Sequence, residues 1–202
     1  AMIDGNIALC DAGTGIGKTF AYLAAGVMFE KLRKEAGEIF SPILISTTSI
    51  ALQNTVLNEY IPFLSDVLLE ADMINKPLEA VVRKGKAHYV CDERLQRRLD
   101  HVNFEKKNNR NAEALLSLRS IIDTGKAEHL SSYDKHQVCV PTVCDCYQTN
   151  CRYSRFIENC RSERYMFQIC NHNLLLADAI NRNGRLSAIL PDYCTLIIDE
   201  AH

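Results

Sequence analysis

The chain has 202 residues, 47% of them hydrophobic, with 23 Lys and Arg against 25 Asp and Glu, nine Cys and no Trp. That composition fits one globular unit, or one unit with an insertion, and excludes a disordered chain, a collagen-like repeat and a coiled coil. The net charge of -2 hides an asymmetry, because residues 83–164 carry 16 basic and 11 acidic side chains while the remainder carries 7 and 14. A basic segment therefore sits inside an acidic frame. Cys139, Cys144, Cys146, Cys151 and Cys160 fall within 22 residues, while Cys10, Cys91, Cys170 and Cys194 are scattered. The odd total and the lack of a leader pattern point to a reducing, intracellular compartment, where a tight cysteine cluster is a metal or cluster site more often than a set of bridges. No apolar run reaches the ~18 to 20 residues that cross a bilayer, so no membrane partner is expected. Ala1 before Met2 resembles a scar of tag removal, and the chain stops at Asp199-Glu200-Ala201-His202 directly after an apolar run. Both ends suggest a piece of a longer protein.

In chain order, Asn6–Cys10 is a short apolar run, followed by the glycine-rich stretch Asp11–Thr19 and a helical pattern from Phe20 to Met28. The order predicted is strand, loop, helix. Pro42–Ser46 reads as a buried strand, Thr47 and Thr48 as capping hydroxyls, and Ile50–Tyr60 as the helix they start. Between about Lys84 and Tyr165 charged helices replace strands, with Leu115, Leu118 and Ile122 as one apolar stripe flanked by Glu113, Arg119 and Asp123. Residues 139–160 show almost no periodicity and lack the apolar content for a core of their own, which predicts a metal-held insert. Strand character returns at Met166–Cys170 and Tyr193–Ile198. Continuous apolar strands alternating with helices imply a parallel sheet covered on both faces.

The loop from Ala12 to Thr19 matches the phosphate-binding pattern Gly-x-x-x-x-Gly-Lys-Ser/Thr, with Ala12 in the first glycine position. Gly13, Gly15 and Gly17 let the backbone curl so that N–H groups at positions such as Thr14 and Ile16 meet phosphate oxygens, and the helix that follows adds its positive end. In that pattern Lys18 reaches the β and γ phosphates of ATP and Thr19 ligates Mg2+. Asp199 and Glu200 close a buried strand at the edge where α/β sheets bind ligands. There Asp199 is expected to hold Mg2+ and Glu200 to polarise the attacking water, with Lys18, Asp199 and Glu200 as the catalytic set.

Read together, Ala12–Thr19, then Ser46-Thr47-Thr48 with Leu52-Gln53, then Asp199-Glu200-Ala201-His202 resemble motifs I, Ia and II of superfamily two helicases. Lys84-Gly85-Lys86-Ala87-His88-Tyr89-Val90-Cys91 and Cys170-Asn171-His172-Asn173-Leu174-Leu175 are similar to segments characteristic of the XPD/DinG branch. Asp11 stands where that branch usually carries Glu. The resemblance implies an α/β fold, a RecA-like P-loop NTPase lobe at residues 1–82 and 166–202, interrupted at 83–165 by a mainly helical insert with a [4Fe-4S] cluster. It implies Cys91, Cys146, Cys151 and Cys160 as ligands, with Cys144 the rival to Cys146. Thiolate ligation suits zinc and iron–sulfur alike, but the spacings here are wider than the Cys-x-x-Cys knuckle of zinc ribbons. Cys139 stays open as an alternative ligand, and Cys10, Cys170 and Cys194 read as core residues.

The same resemblance implies an ATP-dependent helicase that moves five-prime to three-prime on single-stranded DNA, opens forked duplexes, and serves DNA repair or related roles in the cytoplasm, nucleoid or nucleus. A monomer is favoured. Arg152, Arg155, Arg161 and Arg164 interleave with Tyr147, Tyr153, Phe156 and Tyr165, the mixture of charge and rings that a single strand requires, although the rings serve equally as a small core. The alternative function is an ATPase remodelling switch whose cysteine insert docks partners or senses redox state. On either reading residues 1–202 lack a second lobe with its transition-state arginine, so the piece alone is expected to be inactive.

Overall fold

The computed structural model describes residues 2, 5–13, 15–102, 110–144 and 151–200. The chain divides into two compact units, Ala1–Arg83 with Arg161–His202, and Lys84–Cys160.

The first unit is built on strand β1 (Ile43–Thr47), whose five residues are all buried. It pairs in parallel with β3 (Phe167–Asn171) on one edge and β4 (Thr195–Ile198) on the other, and β2 (Ala80–Val82) continues the sheet beyond β3. The resulting order is β2-β3-β1-β4, all parallel as the apolar runs predict. Side chains alternate across the sheet. Ile43, Ile45, Phe167 and Ile169 meet Leu23 and Val27 of α1 (Lys18–Glu35) and Val56, Ile61, Leu64 and Leu68 on one face. Leu44 and Cys170 meet Leu174 and Leu175 of α8 (His172–Asn183), together with Leu190, on the other. Each such side chain withdrawn from water contributes about 1.5–3 kcal/mol, so the centre of the sheet is the most stable part of the unit.

The helix predicted at Ile50–Tyr60 continues to Glu70 through α2 (Ile50–Thr55), a π turn at Val56–Tyr60 and α3 (Ile61–Glu70). The cause is local. Pro62 carries no N–H for the helical ladder, and just before it the Ile61 N–H reaches the Val56 carbonyl, one residue farther than an α-helix allows. The strand expected at Asn6–Cys10 is not part of the sheet: Ile7 and Leu9 are 93% and 96% exposed. Apolar content shows what a segment can bury, not whether it joins a sheet. Cys10 is exposed with it, which corrects its reading as a core residue; Cys170 is buried and Cys194 half-buried.

The second unit has a core of its own. Val90, Leu95, Leu99, Ala114, Leu115, Leu118, Ala127 and Val138 cluster between α4 (Asp92–Asp100), α5 (Arg110–Ser117) and α6 (Ser132–Val138). The apolar content comes from these helices rather than from the cysteine-rich stretch. Leu115 and Leu118 are fully buried as the stripe predicts, but α5 stops at Ser117 and Ile122 arrives from the bridge segment beyond it. Asp123, which flanks the stripe in sequence, is buried and holds the Lys84 ammonium at 2.5 Å. A second cluster joins Tyr89, Cys91 and Val140 to Tyr153 and Phe156 of α7 (Arg152–Asn159).

Asp134 ties α6 to both neighbours, accepting from Arg98, from Asn111 at 2.5 Å and from the Ser131 hydroxyl at 2.9 Å. Burial raises its carboxyl pKa, but the three donors outweigh burial and hold it below the usual carboxylate value. A depressed folded-state pKa contributes stability above the ordinary value of about 3.9 that is lost as pH falls through the folded one. Unfolding of the second unit should therefore become easier as pH drops below 4. Asp134→Asn should lower stability at pH 7 and flatten that pH dependence in chemical denaturation; an unchanged profile would refute the role.

Candidate nucleotide site

The loop before α1 is shaped by two residues in left-handed conformation, Gly15 (φ 77°) and Gly17 (φ 83°), where any side chain would be strained. Gly17 caps α1, so Lys18 and Thr19 are its first two residues, half-buried in a first turn that contains no acidic side chain. Such a turn presents free N–H groups and the positive end of an 18-residue helix to an anion. Gly13 has open space around it and Ile16 is 67% exposed, while Thr14 lies outside the described residues.

Tyr22 brings the two halves of the site together. Its hydroxyl donates to Asp199 Oδ2 at 3.2 Å and is hydrogen-bonded to the Thr19 side chain. Burial first, and the Asp199 charge second, push the phenol well above its ordinary range, so it stays protonated and able to donate. The Asp199 N–H in turn donates to the Ser46 carbonyl at 2.9 Å, continuing the β1–β4 ladder past β4. Thr19 and Asp199 therefore surround one hydroxyl, at the carboxyl edge of the sheet where the sequence places both Mg2+ ligands. Two hard oxygens are the kind of donor that suits Mg2+, which takes only one or two protein ligands in such sites. Tyr22 escaped the sequence reading. Its signal is position alone, three residues after Thr19 and hence on the same helix face one turn later.

Glu200, exposed and left-handed (φ 55°), turns the other way, its Oε2 accepting from the Thr48 hydroxyl at 2.9 Å. The helix cap expected from Thr47 and Thr48 falls instead to Ser49, whose hydroxyl accepts from the Leu52 N–H at 3.1 Å; Thr47 donates to the Ser49 carbonyl. The extended backbone of Ser49 sets the cap, which leaves Thr48 outside the helix. Asn171 caps α8 through the Leu174 N–H, and His172 Nδ1 meets the Ser46 hydroxyl at 2.7 Å. Ala201 and His202 lie outside the described residues.

In the second unit Cys91 precedes α4, while Cys151 and Cys160 bracket α7. Cys91 and Cys160 are buried and Cys151 is half-buried. Helix α7 packs against the Cys91 cluster through Tyr153 and Phe156, whose rings lie 5.4 and 5.0 Å from that of Tyr89. Cys144 is exposed and Cys146 lies outside the described residues. Among the described residues no three His, Cys, Asp or Glu side chains converge to hold a metal. Cys139 is buried, its sulfur against the His136 carbonyl at 3.3 Å.

The basic and aromatic stretch divides. Tyr153 and Phe156 pack inward, and Arg152 is fixed by Asp92 at 2.6 Å and by the Leu118 and Arg119 carbonyls. Arg155 and Arg161 stay exposed; Arg164 pairs with Glu79 at 2.5 Å and stacks on Tyr165; Tyr147 lies outside the described residues. His88 is pushed below its ordinary pKa by burial and then by Lys135 and Lys84, as befits a neutral structural imidazole.

No protein-family model matches the chain. Over 96% of its length it is 28% identical to 3′-5′ exonuclease DinG of Bacillus subtilis, covering 20% of that protein. Over its full length it is 25% identical to ATP-dependent DNA helicase YoaA of Escherichia coli and 28% identical to ATP-dependent helicase DinG of Mycobacterium tuberculosis, covering 31% and 32% of them. The chain is similar to DinG and YoaA helicases. It spans about a fifth to a third of the length of these relatives. The similarity extends through both units, since the matched stretch covers at least 96% of the chain in each of the three comparisons.

Among the described cysteines, Cys170 is the most firmly buried with a raised thiol pKa. Burial pushes its thiol up to about 12, against a smaller opposing effect of the Ser46 hydrogen bond and the Arg83 charge. At pH 8 iodoacetamide should label exposed Cys144 within minutes and leave Cys170 unmodified until the chain is unfolded, as mass spectrometry of the digested protein would show. Labelling of Cys170 in the native state would contradict the packing described.

Proposed function

We propose that this chain is the nucleotide-binding lobe and insert of an ATP-dependent DNA helicase that moves five-prime to three-prime along single-stranded DNA and opens forked duplexes. The observation that carries the reading is the Thr19–Tyr22–Asp199 hydroxyl chain, which joins the phosphate-loop helix to the acid at the sheet edge. In this reading the N–H groups of residues 13–19 and the Lys18 ammonium hold the β and γ phosphates of ATP. Thr19 and Asp199 supply oxygens to Mg2+, which neutralises charge on the transferring phosphoryl group. Tyr22 fixes the Asp199 carboxylate, and Glu200 orients the water that attacks the γ-phosphorus as the bond to the β-phosphate oxygen breaks. Positioning and charge neutralisation supply most of the rate in such a transfer.

The lobe comprises residues 1–82 and 166–202, with the insert at 83–165. For the insert we propose a [4Fe-4S] cluster on Cys91, Cys146, Cys151 and Cys160, with Cys144 as the rival to Cys146. The placement of Cys91, Cys151 and Cys160 around α7 and its aromatic packing supports this set. Bound there, a cluster would brace the segment covalently. The protein acts intracellularly on DNA, in repair or related work, without a membrane partner and as a monomer. One observation favours a second reading, an ATPase remodelling switch with a docking insert: Arg152, Tyr153 and Phe156 are engaged within their own unit, which reduces the strand-binding surface.

Steady-state assays on the full-length protein separate these readings. A translocase shows ATP turnover strongly stimulated by single-stranded DNA, and Lys18→Ala should lower it by at least about 10²-fold. A remodelling switch shows turnover indifferent to the strand. Residues 1–202 alone should bind nucleotide without appreciable turnover. Anaerobically purified protein should be brown and contain iron, with Cys151→Ser losing both; colourless protein with stoichiometric zinc would refute the cluster.

A further inference from the structure

Tyr22 stands between the two oxygen groups that the site offers a cation, and its place is fixed from outside the site. Its ring packs against the apolar core built on β1 and β3, which holds the hydroxyl beside Thr19 and Asp199. The direction of the two hydrogen bonds follows from the donor count. A phenol has one O–H, and here it is committed to Asp199 Oδ2 at 3.2 Å, because an ionised carboxylate can only accept. In the contact with Thr19 the threonine is therefore the donor and the phenol oxygen the acceptor. That direction leaves the lone pairs of the Thr19 hydroxyl open, and Asp199 keeps its second oxygen open. The phenol also selects a torsion for each side chain. A helical threonine divides between two rotamers, because its hydroxyl can also bond a carbonyl three or four residues back, and the last torsion of an aspartate is broad. The neighbouring Glu200 turns to Thr48, so Asp199 is the acid that the Tyr22 hydroxyl serves.

We propose that Tyr22 is a positioning residue that sets the affinity of this site for a divalent cation, by holding the Thr19 and Asp199 oxygens as a matched pair of acceptors. This rests on the reading of the site as one for ATP and Mg2+, and adds to it the residue that fixes how tightly the metal is held. Groups behind metal ligands orient them without touching the ion, and losing one typically costs about 10- to 100-fold in metal affinity. The Lys18 ammonium and the N–H groups at the start of α1 meet phosphate independently of these two oxygens. Nucleotide affinity without metal is therefore a separate quantity, which the Tyr22 hydroxyl leaves untouched.

The test uses the full-length protein, wild type and Tyr22→Phe, which keeps the ring in the core and removes only the hydroxyl. With the non-hydrolysable analogue adenylyl imidodiphosphate bound, electron paramagnetic resonance of Mn2+ gives the metal dissociation constant. Titration of the same analogue in EDTA gives nucleotide affinity without metal. Tyr22→Phe should weaken Mn2+ binding by about 10- to 100-fold and leave the metal-free nucleotide affinity unchanged. It should also raise the Mg2+ concentration needed for half-maximal ATP turnover, while kcat at saturating Mg2+ returns to the wild-type value. Mn2+ affinity equal to or tighter than wild type overturns the inference and leaves the nucleotide reading intact. Parallel loss of Mn2+ affinity and metal-free nucleotide affinity also overturns it, since the hydroxyl would then shape the whole loop. Wild type whose nucleotide binding is indifferent to metal overturns both. If Tyr22→Phe proves insoluble, Tyr22→Leu is read by the same criteria.

Discussion

Strand β1 is the constraint on which the rest of the lobe depends. It is paired on both edges and covered on both faces, so its register fixes β3 and β4, and with them the starts of the segments that follow each strand. Three contacts beyond the ladder start at its carboxyl end: the Ser46 carbonyl takes the Asp199 N–H, the Ser46 hydroxyl meets His172, and Thr48 meets Glu200. A slip of one residue would turn every side chain to the opposite face and break all three. The parallel arrangement also brings the ends of β1, β3 and β4 to one edge, which is why residues as distant in sequence as Tyr22 and Asp199 meet there.

Short hydroxyl contacts link the segments that meet at the candidate site. Thr19 and Tyr22 connect the anion-binding helix to one acid, and Thr48 connects the other acid to the surface loop after β1. Hydroxyl groups suit this work because each accepts and donates, so a change at one partner alters what the other receives. The arrangement gives the neighbouring Asp199 and Glu200 separate environments, one half-buried and one exposed.

The second unit is held differently. Its helices α4–α6 pack a small apolar core, and Asp134 binds Arg98, Asn111 and Ser131 around it, while Lys84 and Asp123 form a buried pair near its first residue. Aromatic packing of α7 on Tyr89 then draws Cys151 and Cys160, at the two ends of that helix, toward the part of the unit that contains Cys91. The core therefore does not depend on the cysteine-rich stretch, and arginines interleaved with the rings are divided between internal anchors and exposed charge.

Periodicity and spacing were enough to read the parallel sheet, a curled glycine-rich loop before α1, and the acids at the end of β4, because each of these is dictated by local backbone chemistry or by a continuous apolar run. Gly15 and Gly17 occupy left-handed positions as a curled loop requires, and Ile43–Thr47 is buried throughout as its composition demands. What the sequence could not decide is everything that depends on a partner from elsewhere in the chain. Asn6–Cys10 looks like a strand but does not join the sheet; Thr47 and Thr48 look like caps, yet the backbone turn gives that task to Ser49; and of the two roles open to Tyr153 and Phe156, the structure shows packing on Tyr89. The contacts of Tyr22 and Thr48 arise only when the sheet brings Asp199 and Glu200 beside them. Residue type specifies what a group can donate, accept or bury, and tertiary structure alone decides which group is within reach.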